Sequence, residues 1–190
     1  MKTNRLEAFS DGVLAIIITI MVMQLRAPKE MTWEALVPIL PVFVSYILSF
    51  IYIGIYWNNH HHLFQITKKV NGKILWANMH LLFWLSLIPF ATSWIGEDHL
   101  MVVPVVYYGI ILFMSGVAYF ILHRLILKLH KDDEAMQKAY ANQNKAYLSM
   151  ALYLIGIALC FVNPIFGSIC YLIVAIMWII PNKRVEKYIG

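Results

Sequence analysis

Six apolar runs separated by short polar stretches leave this chain few ways to fold. They lie at roughly 8–25, 36–57, 75–96, 102–127, 146–162 and 165–181. A helix needs about 20 mostly apolar residues, at about 1.5 Å of rise each, to cross the hydrocarbon of a bilayer. Backbone polar groups find no water there, so each crossing segment must satisfy them within its own helix. The expected fold is therefore all-α, a polytopic membrane protein with six transmembrane helices. Composition agrees: 61% of residues are hydrophobic and 13% charged, where a soluble domain carries about 25% charged. The runs take up nearly all of the 190 residues and show no convincing duplication, so 1–190 is expected to form a single domain.

The fifth and sixth runs are short, and Asn163-Pro164 between them predicts a tight helical hairpin, because proline suits the first turn of a new helix. Pro89 falls inside the third run and is expected to kink it. The polar stretch 131–145 is expected to be a solvated connector, or a short surface helix with Glu134 and Lys138 at i,i+4 spacing. Trp33, Trp57, Trp94 and Trp178 stand near run ends, where indole rings anchor at membrane interfaces. Lys2 and Arg5 precede the first run as in a secretory leader. The run ends Val22-Met23-Gln24-Leu25-Arg26-Ala27-Pro28 without a small-x-small cleavage site, so it is expected to remain as a span.

The formal charge of +5 sits between the apolar runs and predicts topology rather than a nucleic-acid partner. Lys2 and Arg5 flank the start, and Lys68, Lys69 and Lys73 follow the second run. Arg124, Lys128, Lys131, Lys138 and Lys145 follow the fourth, and Lys183, Arg184 and Lys187 follow the sixth. The opposite loops hold Arg26, Lys29, Glu30 and Glu34, then Glu97, Asp98 and His99. The positive-inside rule places both termini in the cytoplasm, as an even number of spans requires. Cys160 and Cys170 lie inside apolar runs, where no disulfide or zinc spacing can be read.

The first run carries ionisable groups at its mouth, Arg5 and Asp11, with Ser10 beside them. Such groups at the edge of a membrane helix usually have a partner and a function. At about 100° per residue, Ile16, Ile20 and Met23 share a narrow sector, with Thr19 beside them and Gly12 one turn earlier. Asp11 points roughly 140° away from Ile16. If the Ile16 strip faces an ion path, Asp11 faces neighbouring protein and braces the helix instead of touching the ion. Arg5 and Asp11 are too far round the helix to pair directly. Partners are expected in Trp57-Asn-Asn-His60-His61-His62-Leu-Phe64 and at Asn78 or His80. The alternative is that the aliphatic strip simply packs against its neighbours.

Three consecutive imidazoles point in three directions on a helix, whereas helical metal pairs favour i,i+4 spacing, so no metal site is expected at His60–His62. The chain has no Gly-x-Ser-x-Gly elbow, no phosphate-binding Gly-rich loop with Lys, and no His-Glu-x-x-His, so neither an enzyme nor a cofactor is expected. It also lacks Thr-Val-Gly-Tyr-Gly, the carbonyl filter of familiar potassium channels.

Arg5-x-x-x-Phe9-Ser10-Asp11 resembles the signature of the lysosomal and bacterial transmembrane protein 175 family of potassium channels. Trp57-x-Asn59-His60-His61-x-Leu63-Phe64, Leu75-Trp76-x-Asn78 and Ser86-Leu87-Ile88-Pro89-Phe90 are similar to the same family. The resemblance implies a bacterial-type homotetramer of six-helix subunits in a cell membrane, with the first helix of each lining the pore. It implies a constriction at Ile16, with Ile20 and Met23 in the next layers outward, and a role for Thr19 in selectivity. It also implies a structural polar network of Arg5, Phe9, Ser10, Asp11, His60, His61 and Asn78. His62 stands where relatives often carry arginine, and Met23 where a leucine-like residue is usual.

The function expected is passive potassium permeation through a narrow apolar neck, with lipid as surroundings. Two rivals are a proton-coupled cation transporter using Asp11 with His60 or His61, and a histidine-based membrane metalloprotein.

Overall fold

The computed structural model describes residues 3–97 and 100–180. Lys2, Asp98, His99, Lys183, Arg184 and Lys187, which enter the topology argument above, lie outside the described residues. The chain runs α1 (Asn4–Met23), a 3-10 turn (Glu34–Ile39), α2 (Leu40–Gln65), α3 (Gly72–Ser86), α4 (Ile88–Glu97), α5 (Val102–Leu129), α6 (Glu134–Ala139), α7 (Asn144–Cys160) and α8 (Pro164–Ile179). No strand occurs among the described residues.

Local chemistry sets the boundaries. Asn71 caps α3 by accepting from Ile74 N at 3.1 Å, and Asp133 caps α6 by accepting from Met136 N at 3.1 Å. Asn163 accepts from Ile165 N at 2.9 Å with Pro164 opening α8, which makes the turn between α7 and α8 the tight hairpin expected. The third apolar run is divided into α3 and α4 at Leu87, two residues before Pro89. Proline has no N–H for the carbonyl one turn back, so the ladder breaks there. α2 runs on to Gln65, eight residues past the end of the second apolar run, and carries all three consecutive histidines.

Among the described residues, four helical stretches are long and apolar enough to cross a membrane: Asn4–Met23, Glu34–Gln65, Gly72–Glu97 and Val102–Leu129. α7 and α8 are apolar but have 17 and 16 residues, about 25 Å of helix against a hydrocarbon core of about 30 Å.

α5 is the centre of the packing and lies against α3, α4, α7 and α8, while α1 lies against α2, α3 and α4. Two glycines let the helices meet closely. A Cβ at Gly109 of α5 would collide with the Tyr171 hydroxyl, and one at Gly167 of α8 with Cys160 Sγ. Deep in the bundle Ser49 Oγ lies 2.9 Å from Tyr108 Oη, and Thr92 Oγ1 lies 2.7 Å from both Ser49 Oγ and Ile88 O. Such hydroxyl bridges between helices pair these three side chains within the apolar interior. The connector is not solvated throughout, because α6 folds back and buries Met136 completely. Gln137 fastens it by donating from Nε2 to Leu127 O at 3.0 Å and His130 O at 3.1 Å.

Candidate functional site on the first helix

α1 has two unlike sides. Leu6, Ser10, Leu14, Ile17 and Met21 recur every three or four residues and form a buried stripe. The opposite side is bare: Phe9, Ile16, Thr19, Ile20 and Met23 are exposed, Ile16 by 60% and Met23 by 76%. Thr19 is its one hydroxyl. Thr19 Oγ1 donates to Ala15 O at 2.9 Å, which uses its proton on the helix and leaves the oxygen lone pairs for whatever lies outside.

The polar groups lie on the buried side. Ser10 Oγ donates to Leu6 O at 2.9 Å and accepts from Asn78 Nδ2 of α3 at 2.9 Å. Asn78 Oδ1 lies 2.8 Å from His60 Nε2 of α2. With the Asn78 amide committed to Ser10, its carbonyl faces His60, which then donates from Nε2. Three side chains thus tie three helices together, and all three are buried.

A second brace lies beside the first. Trp57 Nε1 donates to Asp11 Oδ1 at 3.1 Å, and His61 Nδ1 lies 3.0 Å from Glu7 Oε1. The Trp57 and His61 rings stack with centroids 6.0 Å apart and planes at 18°. Glu7 and Asp11 are four apart on α1, as are Trp57 and His61 on α2, so each pair presents one face and the faces match.

The expected site residues separate accordingly. Ser10, His60 and Asn78 are brought together, with Asp11 and His61 in the adjoining brace. Arg5 is exposed and makes no hydrogen bond or ion pair among the described residues. Phe9 stands 51% exposed, seven residues before Ile16 and on the same side, away from the polar groups. Ile16, Thr19, Ile20 and Met23 share the bare side. Sequence reasoning passed over Glu7, and it gave Trp57 only an anchoring role in addition to its place in a list of candidate partners; the matched i,i+4 spacings were the available signal. The three imidazoles diverge: His60 turns to Asn78, His61 to Glu7, and His62 into a crevice shared with α5 and α7. Among the described residues no three His, Cys, Asp or Glu side chains gather as metal ligands would.

The region holding this machinery also carries the likeness to known proteins. Residues 5–89 match the family described as endosomal/lysosomal potassium channel TMEM175. The chain is 56% identical over 187 residues to a potassium channel of Chryseobacterium sp., covering 98% of this chain and 97% of that one. It is 24% identical to the mouse endosomal/lysosomal proton channel TMEM175, over 95% of this chain and 38% of the mouse protein. A crystal structure of a lysosomal potassium-selective channel TMEM175 homolog from Chamaesiphon minutus matches with a TM-score of 0.78 at 25% identity, covering 95% of this chain and 98% of that one. Fold, motif order and relatives all point to ion channels rather than enzymes, and the chain belongs to the TMEM175 family.

Proposed function

We propose that this protein is a subunit of a potassium-permeable channel whose ion path runs along the bare side of α1. The observation that carries the proposal is the sorting of α1: Glu7, Ser10 and Asp11 are turned to α2 and α3 and bonded there, and its exposed strip is aliphatic with one outward hydroxyl oxygen. One helix cannot enclose a path, so the same strip from other copies closes it, in a homotetramer with cyclic symmetry. Ile16, Ile20 and Met23 then form stacked apolar rings over about 10 Å of helix. A neck of that kind gates by dewetting. Preference for potassium comes from neck width and the cost of stripping water from the ion, with the Thr19 oxygens as acceptors. In this reading α7 and α8 complete six crossings, both termini are cytoplasmic, and the channel sits in the cell membrane.

Asp11 accepts from Trp57 rather than from His60 or His61, which favours a brace over a proton-coupling pair. The mouse relative is named a proton channel, so protons are the second candidate for the same path. Bilayer recordings of the purified protein under a potassium gradient decide between these readings. Reversal near the potassium equilibrium potential, unmoved when pH is equalised or stepped, is the expected result. Reversal that follows the proton gradient would replace potassium with protons, and flux strictly coupled to protons would overturn the channel reading.

A further inference from the structure

Away from α1, the surfaces of α2 and α7 part over α5 and leave a crevice of about 130 Å³. Its deep end is aromatic, closed by Tyr52 and Tyr153, whose ring centroids are 6.4 Å apart. Its outer part is rich in hydrogen-bond donors. Lys145 Nζ sits 4.7 Å over the Trp178 ring and donates to Ile180 O at 2.8 Å, which leaves two further N–H groups. Asn142 Oδ1 accepts from Asn144 N, so its amide hydrogens are turned elsewhere. His123 is only 7% exposed, and its Nε2 has no partner. Gln143 Oε1 is a second buried polar atom with none, an acceptor that a hydroxyl of the occupant would fill. Buried polar groups are seldom left unpaired, so these two mark a missing occupant.

Among the described residues no carboxylate lines the crevice. Asp133 and Glu134 of the adjoining connector are paired with Lys68 and Lys138. Tyr140 and Gln143 also border a neighbouring depression that carries Arg124, Lys128 and Lys131. An excess of donors under a positive field selects an oxyanion. His123 is 21 residues beyond the start of α5, which is about 32 Å of helix, one hydrocarbon thickness and therefore headgroup depth. The crevice is open on its outer side, so a phosphate can enter while whatever carries it stays outside.

We propose that this crevice binds a phosphate group, carried by an anionic phospholipid or free in solution. The proposal rests on α2, α5 and α7 and is independent of the pore reading. The test is titration of the full-length protein in detergent with dioctanoyl phosphatidate, dioctanoylglycerol and inorganic phosphate, read by thermal midpoint and tryptophan emission. Phosphatidate is expected to bind at least about tenfold more tightly than dioctanoylglycerol, and Lys145→Gln to remove about tenfold of that affinity. His123→Phe, which fills the space beside the unpartnered nitrogen, should weaken it as well. Inorganic phosphate that saturates the site and displaces phosphatidate identifies a soluble source, and failure to do so with phosphatidate bound identifies the lipid. Equal binding of phosphatidate and dioctanoylglycerol by the unaltered protein, with no response to inorganic phosphate, overturns the proposal without recourse to any variant.

Discussion

Glycine stands at position 12 of α1 and at position 109 of α5, and an added methyl group would fare very differently at the two. At Gly109 it would run into the Tyr171 hydroxyl and come within 2.9 Å of Ile157 Cγ1, whereas at Gly12 it would meet nothing within 4 Å. Both helices are apolar enough to cross a bilayer, yet α5 is enclosed by α3, α4, α7 and α8 while α1 is covered on one side only. A soluble amphipathic helix buries its apolar stripe and shows its polar one. α1 buries Ser10 and shows Ile16. The difference separates a helix that holds the chain's fold together from one whose free side is available to something outside the chain.

The sharpest way to break that comparison is to make both glycines alanine. Gly109→Ala should cost about 3 kcal/mol through overpacking, seen as a lowered unfolding midpoint or loss of a monodisperse peak in detergent. Gly12→Ala should stay within about 0.5 kcal/mol and alter conduction instead, because a methyl group is added to the proposed path. Equal loss of stability at both positions would mean that α1 is as enclosed as α5.

Asn78→Ala comes next in size. It removes the link between Ser10 and His60 and leaves the histidine donor unpaired in an apolar setting, costing about 2 kcal/mol. The measurement is again the unfolding midpoint, and selectivity in the surviving channels should be unchanged. A shift in the potassium-to-sodium ratio without loss of stability would move Asn78 from brace to path.

Ile16→Asn tests the other side of α1. At 60% exposure the substitution should leave the unfolding midpoint nearly intact, while an amide in the proposed neck should hold water and raise conductance or relax selectivity. Asp11→Ala should do the reverse, lowering the number of conducting channels through loss of the Trp57 bond while sparing the ion ratio. Current and selectivity that ignore Ile16→Asn, together with selectivity lost in Asp11→Ala, would exchange the two faces.

Much of this was legible in the residues because membrane spans are written locally. Apolar runs, the Asn163-Pro164 hairpin and the break near Pro89 depend on near neighbours in sequence, and all appear in the fold. The second apolar run stops near 57 because Asn58, Asn59 and the histidines are polar, although the helix continues through them. They are helical since His60 finds Asn78 and His61 finds Glu7, partners 18 and 54 positions away. Met136 hid in a polar connector for the same reason, because only the folding back of α6, fastened by Gln137 to Leu127 O, covers its side chain. On α1 the wheel gave the opposed sides, but not which polar group meets which. Relative height and rotation of two helices decide that Trp57 takes Asp11 and His61 takes Glu7, and neither is encoded in one helix alone.

The smallest effect concerns the only hydroxyl on the bare strip. Thr19→Val keeps the branched shape and removes an oxygen that is bonded inward through its proton to Ala15 O. A side-chain bond back onto its own helix adds little to stability and slightly bends the helix, so the unfolding midpoint should barely move. If that oxygen faces the path, it serves potassium as a weak acceptor during partial dehydration, and its loss should reduce the potassium-to-sodium ratio by about twofold to fivefold, a change of about 0.4–1 kcal/mol. Bi-ionic reversal potentials resolve a shift of that size. An unchanged ratio would confine the strip's contribution to its width, leaving Ile16, Ile20 and Met23 to discriminate between the ions through dehydration alone.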